Sequence, residues 1–189
     1  PEGKKITLTN LTLSGLVTDR YVSSIGNNGE LSMKNCAVNA GGGIDNDGKL
    51  YMEGCTLAGL IAGVTNYGVL TMENCVVKDC VNKDTSFNFS GVSNYIGAKA
   101  TLKNCTISNN RTASWGGGIM NYWGTVDMEK CTIAGNYAGD NGGGICNAGK
   151  LTLTRCVVTG NSTGRTVGGG IMSFSKAEDT RIKDKSVIK

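Results

Sequence analysis

The sequence predicts an all-β solenoid, because one short pattern of residues recurs along almost the whole chain. Its clearest copy reads GGGICNAGKLTLTRCVVTGN from Gly142, and the same pattern opens at Gly116 and at Gly41. Weaker copies begin at Ala62 and Gly91. A repeat of this length indicates stacked structural units rather than one irregular core. The 29 glycines, set against a single proline, indicate many tight turns.

One position anchors each copy and defines the length of the repeat. It is occupied by a leucine in the first copy and by a cysteine in the others: Leu11, Cys36, Cys55, Cys75, Cys105, Cys131 and Cys156. Successive anchors are separated by 25, 19, 20, 30, 26 and 25 residues. The segment before each cysteine is nearly constant in length, whereas the segment after it varies. This distribution is typical of a rigid scaffold that carries loops on one side.

Each copy contains short stretches in which apolar and polar residues alternate, such as Leu50-x-Met52 and Cys55-x-Leu57. Alternation over three or four residues, interrupted by Gly and Asn, predicts short strands with one buried face. No segment has helical periodicity, so no crossover helices are available to join consecutive parallel strands at this spacing. The predicted fold is therefore a right-handed, single-stranded parallel β-helix of about seven coils, which spans residues 1–189 as a single domain.

Stacking the coils converts two repeated positions into columns. The asparagine two residues after each conserved Ile or Val forms the first column: Asn27, Asn46, Asn66, Asn94, Asn121 and Asn147. We expect these side chains to form a hydrogen-bonded ladder with a structural role. The cysteine anchors form the second column, which we interpret as buried free thiols because leucine occupies the same position once. The last coil has Ser173 in place of Asn and no cysteine, which is typical of either a degenerate coil or a cap.

Two further cysteines, Cys80 and Cys146, lie outside the anchor column. Cys80 follows an anchor within a long insertion, and Cys146 comes directly after an inward-facing isoleucine. The alternation of the strand therefore predicts that Cys146 faces outward. We expect either residue to be a reactive surface thiol.

The composition argues against several classes of function. The chain has no histidine, and its net charge of +4 is spread over 19 basic and 15 acidic residues. No basic cluster indicates a nucleic-acid or polybasic membrane site, and no apolar run is long enough for a membrane span. Asp45 and Asp47 are close in sequence, but the Asp-Asn-Asp-Gly segment that contains them is more typical of a turn than of a calcium loop. The sequence predicts no catalytic group, no metal site and no cofactor.

The GGGI-x-N-x-G motif, the strand that ends in Asn-Cys and the Gly-Asn that follows resemble right-handed parallel β-helix repeats of bacterial secreted and surface proteins. Adhesin-like proteins and the GGA(I/L/V) repeats of chlamydial polymorphic outer-membrane proteins belong to this group. The resemblance covers about residues 6–171. The FxxN motif that accompanies GGA in the chlamydial proteins is not matched by the FNFS segment at Phe87. The resemblance is therefore to the wider group, in which the same coils carry lyases, hydrolases and adhesins, and it implies the fold rather than an activity.

Aromatic residues follow the ladder asparagine in three consecutive coils, at Tyr67, Tyr95 and Tyr122, and Trp123 comes next in the chain. Rings stacked at coil spacing form either a platform for sugar rings or a peptide, or a cover for the turns. The variable loops at residues 78–90, 108–115, 134–141 and 159–167 contribute the further aromatic candidates Phe87 and Trp115. We expect these loops to crowd one edge of the rod.

The function that these patterns favour is that of a non-catalytic, extracellular or cell-surface protein, which binds a glycan or a surface protein through its aromatic strip and edge loops. No contact with nucleic acid and no insertion into a membrane is expected. One alternative is the β-helix portion of a polysaccharide lyase or hydrolase whose active site lies outside this chain. Another is a purely structural spacer. We expect the chain to continue into a longer polypeptide at one or both ends.

Overall fold

The computed structural model describes residues 5–15, 22–85, 90–164, 167–176 and 179–188. In these residues the chain forms almost only short strands, and every strand pair is parallel. The strands assemble into four sheets, each of which takes one strand from successive coils. The predicted parallel β-helix is therefore confirmed, while its right-handed sense and its count of about seven coils stay predictions. No helix in the described part of the chain is long and apolar enough to cross a membrane.

The first sheet holds the strands that precede the anchor position. Its eight strands are β1 (Lys5–Thr9), β4 (Glu30–Lys34), β7 (Lys49–Glu53), β10 (Val69–Glu73), β14 (Lys99–Lys103), β18 (Thr125–Glu129), β22 (Lys150–Thr154) and β26 (Thr180–Lys183), in that spatial order. The second sheet holds the strands that follow the anchor: β2 (Thr12–Ser14), β5 (Ala37–Gly41), β8 (Thr56–Leu60), β11 (Val76–Lys78), β15 (Thr106–Ser108), β19 (Thr132–Ala134), β23 (Val157–Thr159) and β27 (Val187–Ile188).

The third sheet carries the Ile/Val-x-Asn segments. Its strands are β3 (Ile25–Asn27), β6 (Ile44–Asn46), β9 (Val64–Asn66), β13 (Val92–Asn94), β17 (Ile119–Asn121), β21 (Ile145–Asn147) and β25 (Ile171–Ser173). The fourth sheet has four two-residue strands that no alternation predicted: β12 (Val81–Asn82), β16 (Arg111–Thr112), β20 (Tyr137–Ala138) and β24 (Ser162–Thr163). Parts of the expected loops are therefore regular strands, because their backbone groups pair with the same segment of the next coil.

Each coil bends at two residues with a left-handed backbone. One directly precedes the anchor position, as at Asn35 and Gly54, and the other lies four residues after the anchor, as at Asn109 and Gly135. Asn, Asp and Gly tolerate this conformation better than most residues, so the frequent Asn-Cys and Gly-Asn dipeptides of the repeat have a local cause.

The anchor cysteines lie in the core as predicted, and all eight cysteines of the chain are free and buried. Each anchor thiol donates to the carbonyl two residues earlier, at 3.3 Å from Cys36 to Lys34 and 3.2 Å from Cys105 to Lys103. The column thus satisfies a carbonyl at the corner where each first-sheet strand ends. In the last coil Ser186 takes this role, since its hydroxyl accepts from the Cys156 amide at 3.0 Å and donates to the Lys183 carbonyl at 2.8 Å. The last segment is therefore a coil that continues the sheets.

The asparagine ladder is confirmed. Each Nδ2 donates to the Oδ1 of the asparagine in the next coil, at 2.6 Å from Asn27 to Asn46 and 3.0 Å from Asn94 to Asn121. The same amides bond to turn carbonyls, as from Asn46 to Val69 at 3.1 Å. The ladder ends at 3.3 Å on the hydroxyl of Ser173. These bonds fix the turn that connects the third sheet to the first, and the aromatic residues lie on this turn.

Candidate functional site

The three tyrosines occupy equivalent places on the turn from the third sheet to the first. The amide of each one donates to the carbonyl of the ladder asparagine in the preceding coil, at 2.8 Å from Tyr67, 2.9 Å from Tyr95 and 2.8 Å from Tyr122. The same bond positions Phe174 at 2.7 Å from the Asn147 carbonyl. The backbone ladder therefore aligns the aromatic side chains along one edge of the rod, as the sequence predicted.

The rings contact one another to different degrees. Tyr67 and Tyr95 are stacked with centroids 4.7 Å apart and planes at 13°, whereas Tyr95 and Tyr122 meet edge to face at 6.4 Å and 68°. Tyr95 and Tyr122 are half-buried, while Tyr67 remains 48% exposed. We refer to Tyr67, Tyr95, Tyr122 and Trp123 as the aromatic strip. Because the middle rings partly cover each other, most of its accessible surface belongs to the residues at its two ends.

Trp123 is the most unusual member of the strip. It is an additional residue in its turn, which reads Asn-Tyr-Trp-Gly where most coils read Asn-x-Gly. Its backbone is left-handed, with φ of 59°, and its side chain is 63% exposed. This conformation costs a bulky residue roughly 1–2 kcal/mol relative to glycine, without the compensation of a buried side chain. Trp123 therefore combines an exposed ring with a backbone conformation that is unfavourable for a bulky residue.

The phenols of Tyr67 and Tyr95 are protonated donors at neutral pH. Burial, together with the neighbouring Tyr67, raises the pKa of Tyr95 to about 12. Burial also raises the pKa of Tyr67, and the nearby Asp45 and Asp47 act in the same direction. Tyr67 and Tyr95 can therefore offer apolar ring surface and hydroxyl groups, but no negative charge.

The Asp45–Gly48 segment runs from the end of β6 into a turn at Asp47 and Gly48, so a turn is present where the sequence indicated one. The side-chain Nδ2 of Asn46 donates to the Gly48 carbonyl at 3.2 Å and to Asn66 Oδ1 at 2.7 Å, so Asn46 belongs to the ladder. Burial raises the pKa of Asp45, opposed by hydrogen bonds from Thr65 and Ser23. In the described part of the chain, no group of three metal-ligating side chains is brought together.

The remaining aromatic candidates are distributed differently. Trp115 lies against Phe174, with ring centroids 5.8 Å apart. Sequence reasoning did not include Phe174 among the binding candidates, although its position is equivalent to that of the strip tyrosines. Phe87 lies outside the described residues. Arg111 and Tyr137, expected in loops, belong to the fourth sheet, where the guanidinium lies 3.9 Å from the centroid of the ring.

The prediction of reactive surface thiols at Cys80 and Cys146 is wrong. Both side chains are buried, and burial raises the pKa of each thiol to about 12. Cys146 does point away from the core, but the triple-glycine loop covers it: a Cβ built on Gly142 would lie 2.7 Å from the Cβ of Cys146. Cys80 is buried because it occupies an inner corner, five residues after its anchor.

That inner corner carries a second asparagine ladder, which sequence reasoning missed. Asn110, Asn136 and Asn161 occupy the position of Cys80 in the following coils, and Asn110 donates to Asn136 Oδ1 at 3.0 Å. Each also satisfies a carbonyl of the preceding coil, as from Asn110 to Val77 at 3.1 Å. The constant spacing of five residues after Cys105, Cys131 and Cys156 is the signal that could have revealed it.

Comparison with known proteins gives one match. Residues 104–122 match the repeat of the Chlamydia polymorphic membrane proteins. Within this stretch, Ile107-x-x-Asn110 has the spacing of the FxxN motif with Ile in place of Phe, and its asparagine belongs to the second ladder. No curated protein and no solved structure matches the chain significantly. The matched stretch contains Trp115, the triple glycine and Tyr122, and so includes part of the aromatic edge.

Proposed function

We propose that this chain is a non-catalytic, surface-exposed β-helix that attaches to a glycan through its aromatic edge. The single observation that carries the proposal is the exposed end of the strip, where Trp123 is displayed in a strained backbone conformation beside Tyr122. Aromatic side chains present a large rigid surface at low entropic cost, which suits the apolar face of a sugar ring. The similarity to a Chlamydia polymorphic membrane protein repeat supports a location at a cell surface.

The carboxylates of Glu30 and Glu53 in the first sheet do not have the environment of a general acid. Lys34 and Glu53 form an ion pair at 2.9 Å, and Lys49 pairs with Glu30 at 2.7 Å. The ion pairs lower the pKa of both carboxyl groups, whereas a general acid requires a raised one. These carboxylates therefore act as surface ion pairs.

A spacer without a ligand is the second candidate, and the close stack of Tyr67 on Tyr95 favours it. Rings that cover one another at 4.7 Å shield the turns beneath them and give the rod a rigid edge. This candidate predicts no binding partner for the strip, but it does not explain why an exposed tryptophan has the left-handed backbone of Trp123.

A glycan-array screen of the chain tests the proposal directly. The wild type is compared with a Tyr67→Ala/Trp123→Ala variant, which removes the two most exposed rings of the strip. Tyr51→Ala is the matched control, because Tyr51 lies on the face of the first sheet and bonds to Glu53 at 3.1 Å. We expect binding to a defined group of glycans that the control retains and the double variant loses. Absence of glycan binding by the wild type would refute the proposal and favour the spacer.

A further inference from the structure

A groove lies at one end of the aromatic strip, and three neighbouring coils contribute residues to it. Its floor is the segment from Ala148 to Thr152, and the coils on either side form its walls. Two adjoining cavities of about 380 Å³ and 390 Å³ make up the groove, and they share Thr125, Lys150 and Asp179. Cavities of this volume lie within the range of small-ligand sites. We call it the transverse groove, because it follows the strand direction rather than the axis of the rod.

The sequence explains why this coil lies lower than its neighbours. The turn position that holds tyrosine at Tyr122 holds alanine at Ala148, which is only 9% exposed. The next coil returns to an aromatic residue with Phe174, which is 52% exposed. On the face of the first sheet the register places Thr152 between Asp127 and Arg181. Ala148 and Thr152 are therefore smaller than their neighbours in the adjacent coils, whereas Lys150, which pairs with Thr125, carries a long side chain between the two halves of the trough.

The dimensions of the trough follow from strand geometry. The walls belong to coils on either side of the floor, so they are separated by about 9.6 Å, or two strand spacings. Within the floor the strand from Lys150 to Thr152 extends over about 7 Å at roughly 3.3 Å per residue, and Ala148 and Gly149 form the turn before it. This space accepts an extended chain of small rings laid along the coil.

The two halves of the groove differ in chemistry. At the turn, Trp123 and Phe174 provide aromatic walls above Ala148. Along the first sheet the lining is polar, with Asp127 and Asp179 as acceptors and the side chains of Lys150 and Arg181 as donors. With Lys176 at the aromatic end, the groove has three basic and two acidic groups, so it favours neither strongly anionic nor cationic ligands.

The floor cannot pair with a peptide backbone. Strand β22 is already hydrogen-bonded to β18 on one side and to β26 on the other, so no free sheet edge is available for strand addition. A ligand must therefore be recognised through side chains alone. A sugar ring meets this requirement, since its apolar face packs on aromatic rings while its hydroxyl groups accept from lysine and arginine and donate to carboxylates.

We propose that the transverse groove binds a neutral oligosaccharide of two or three hexose rings, an inference that rests on the proposed function. One ring lies between Trp123 and Phe174, and the next bonds to the charged groups around Thr152. Of the aromatic strip only Trp123 lines the groove, and its three tyrosines lie outside the lining.

The repeat itself supplies variants that fill the groove without introducing foreign residues. Tyrosine occupies the position of Ala148 in three other coils and the position of Thr152 at Tyr51. Ala148→Tyr and Thr152→Tyr should therefore fold, which circular dichroism and thermal unfolding verify. Thr71→Tyr is the matched control, because it makes the same substitution in the same column outside the groove. Phe174→Ala provides a groove variant that adds no volume.

Calorimetric titrations with neutral trisaccharides (maltotriose, cellotriose, mannotriose and galactotriose) measure the affinity, with trigalacturonate and an extended hexapeptide as contrasting probes. We expect the wild type to bind at least one neutral trisaccharide. Ala148→Tyr, Thr152→Tyr and Phe174→Ala should each weaken this binding tenfold or more, while Thr71→Tyr leaves it unchanged.

Different failures separate the two proposals. Ala148→Tyr extends the aromatic strip, so a ligand that runs along the strip would bind this variant as well as or better than the wild type. That result overturns the groove and leaves the proposed function standing. Stronger binding of trigalacturonate or of the peptide overturns the choice of ligand class and with it this inference. If the wild type binds no glycan on the array and no trisaccharide here, both proposals fall.

Discussion

Replacement of Asn94 by alanine should lower the free energy of unfolding by about 3 kcal/mol. Asn94 is fully buried in the middle of the first ladder, where its Oδ1 accepts from Asn66 at 2.8 Å. Its Nδ2 lies 3.0 Å from Asn121 Oδ1 and 3.3 Å from the carbonyls of Ala98 and Thr125. A buried hydrogen bond contributes about 1 kcal/mol net, and a buried group left without its partner costs about 1–3 kcal/mol. The loss is partial at Asn66, whose Nδ2 also donates to the Gly68 and Lys99 carbonyls, whereas Asn121 Oδ1 loses the bond from Asn94.

Urea unfolding followed by far-UV circular dichroism gives this free energy. Asn28→Ala is the control, since Asn28 lies on the equivalent turn of another coil but is exposed; its effect should remain within about 0.5 kcal/mol. A loss below about 1 kcal/mol for Asn94→Ala would refute the view that the ladder stabilises the coils.

Asn94→Asp tests the donor separately. Aspartate keeps the acceptor for Asn66 but loses the donor, and burial at this position raises the pKa of the new carboxyl group above its unfolded value. Its protonated form can still donate to Asn121. The variant should therefore be most stable at acid pH, below the unfolded pKa of about 4, and lose stability relative to the wild type as the pH rises. A constant difference between pH 3 and pH 7 would contradict this reasoning.

Two further substitutions and one titration test the packing of the coils. Gly142→Ala should lower the free energy of unfolding in urea by about 2 kcal/mol more than Gly59→Ala does. Both glycines are left-handed, but an added methyl group meets Cys146 at Gly142 and open space at Gly59. Equal losses would show that the triple-glycine loop adjusts to the methyl group. The thiols of Cys80 and Cys146 should react with a maleimide at pH 8 only after unfolding, and rapid labelling of the native chain would contradict their burial. Since burial raises the pKa of both thiols to about 12, their contribution to stability should be constant below about pH 8.5 and fall between about pH 9 and pH 12, measured by thermal unfolding.

Most of the fold could be predicted because each repeat position becomes a column whose members share one environment. A single leucine at the cysteine position, Leu11, was sufficient to identify the column as apolar. The fourth sheet could not be predicted in this way, because its strands contain two residues each and show no alternation. The sequence nevertheless contained its marker, since Asn110 and Asn136 follow their anchors at the same distance.

The burial of Cys146 illustrates what one strand cannot predict. Alternation correctly places its side chain on the outer face of the third sheet, but a face becomes solvent-exposed only if nothing crosses it. The loop that begins at Gly142 crosses this face at a distance that excludes a Cβ atom. Glycine at this position is thus required by the close approach of the loop to the strand that follows it. The transverse groove likewise cannot be predicted from one strand, because it is visible only when Ala148 is compared with the residues stacked on either side of it.

Coil length explains where the rod gains surface features. The 19- and 20-residue coils after Cys36 and Cys55 extend their second-sheet strands to five residues, in β5 and β8, and form no fourth-sheet strand. The coils that follow Cys75, Cys105 and Cys131 have 30, 26 and 25 residues. Each ends its second-sheet strand after three residues and turns into a fourth-sheet strand, and the corner residue is Asn110 after Cys105 and Asn136 after Cys131. Additional residues are therefore accommodated at the corners, while the anchor column keeps its register. Since Trp123 is also an extra turn residue, the coils can acquire exposed side chains at their turns without disturbing the core.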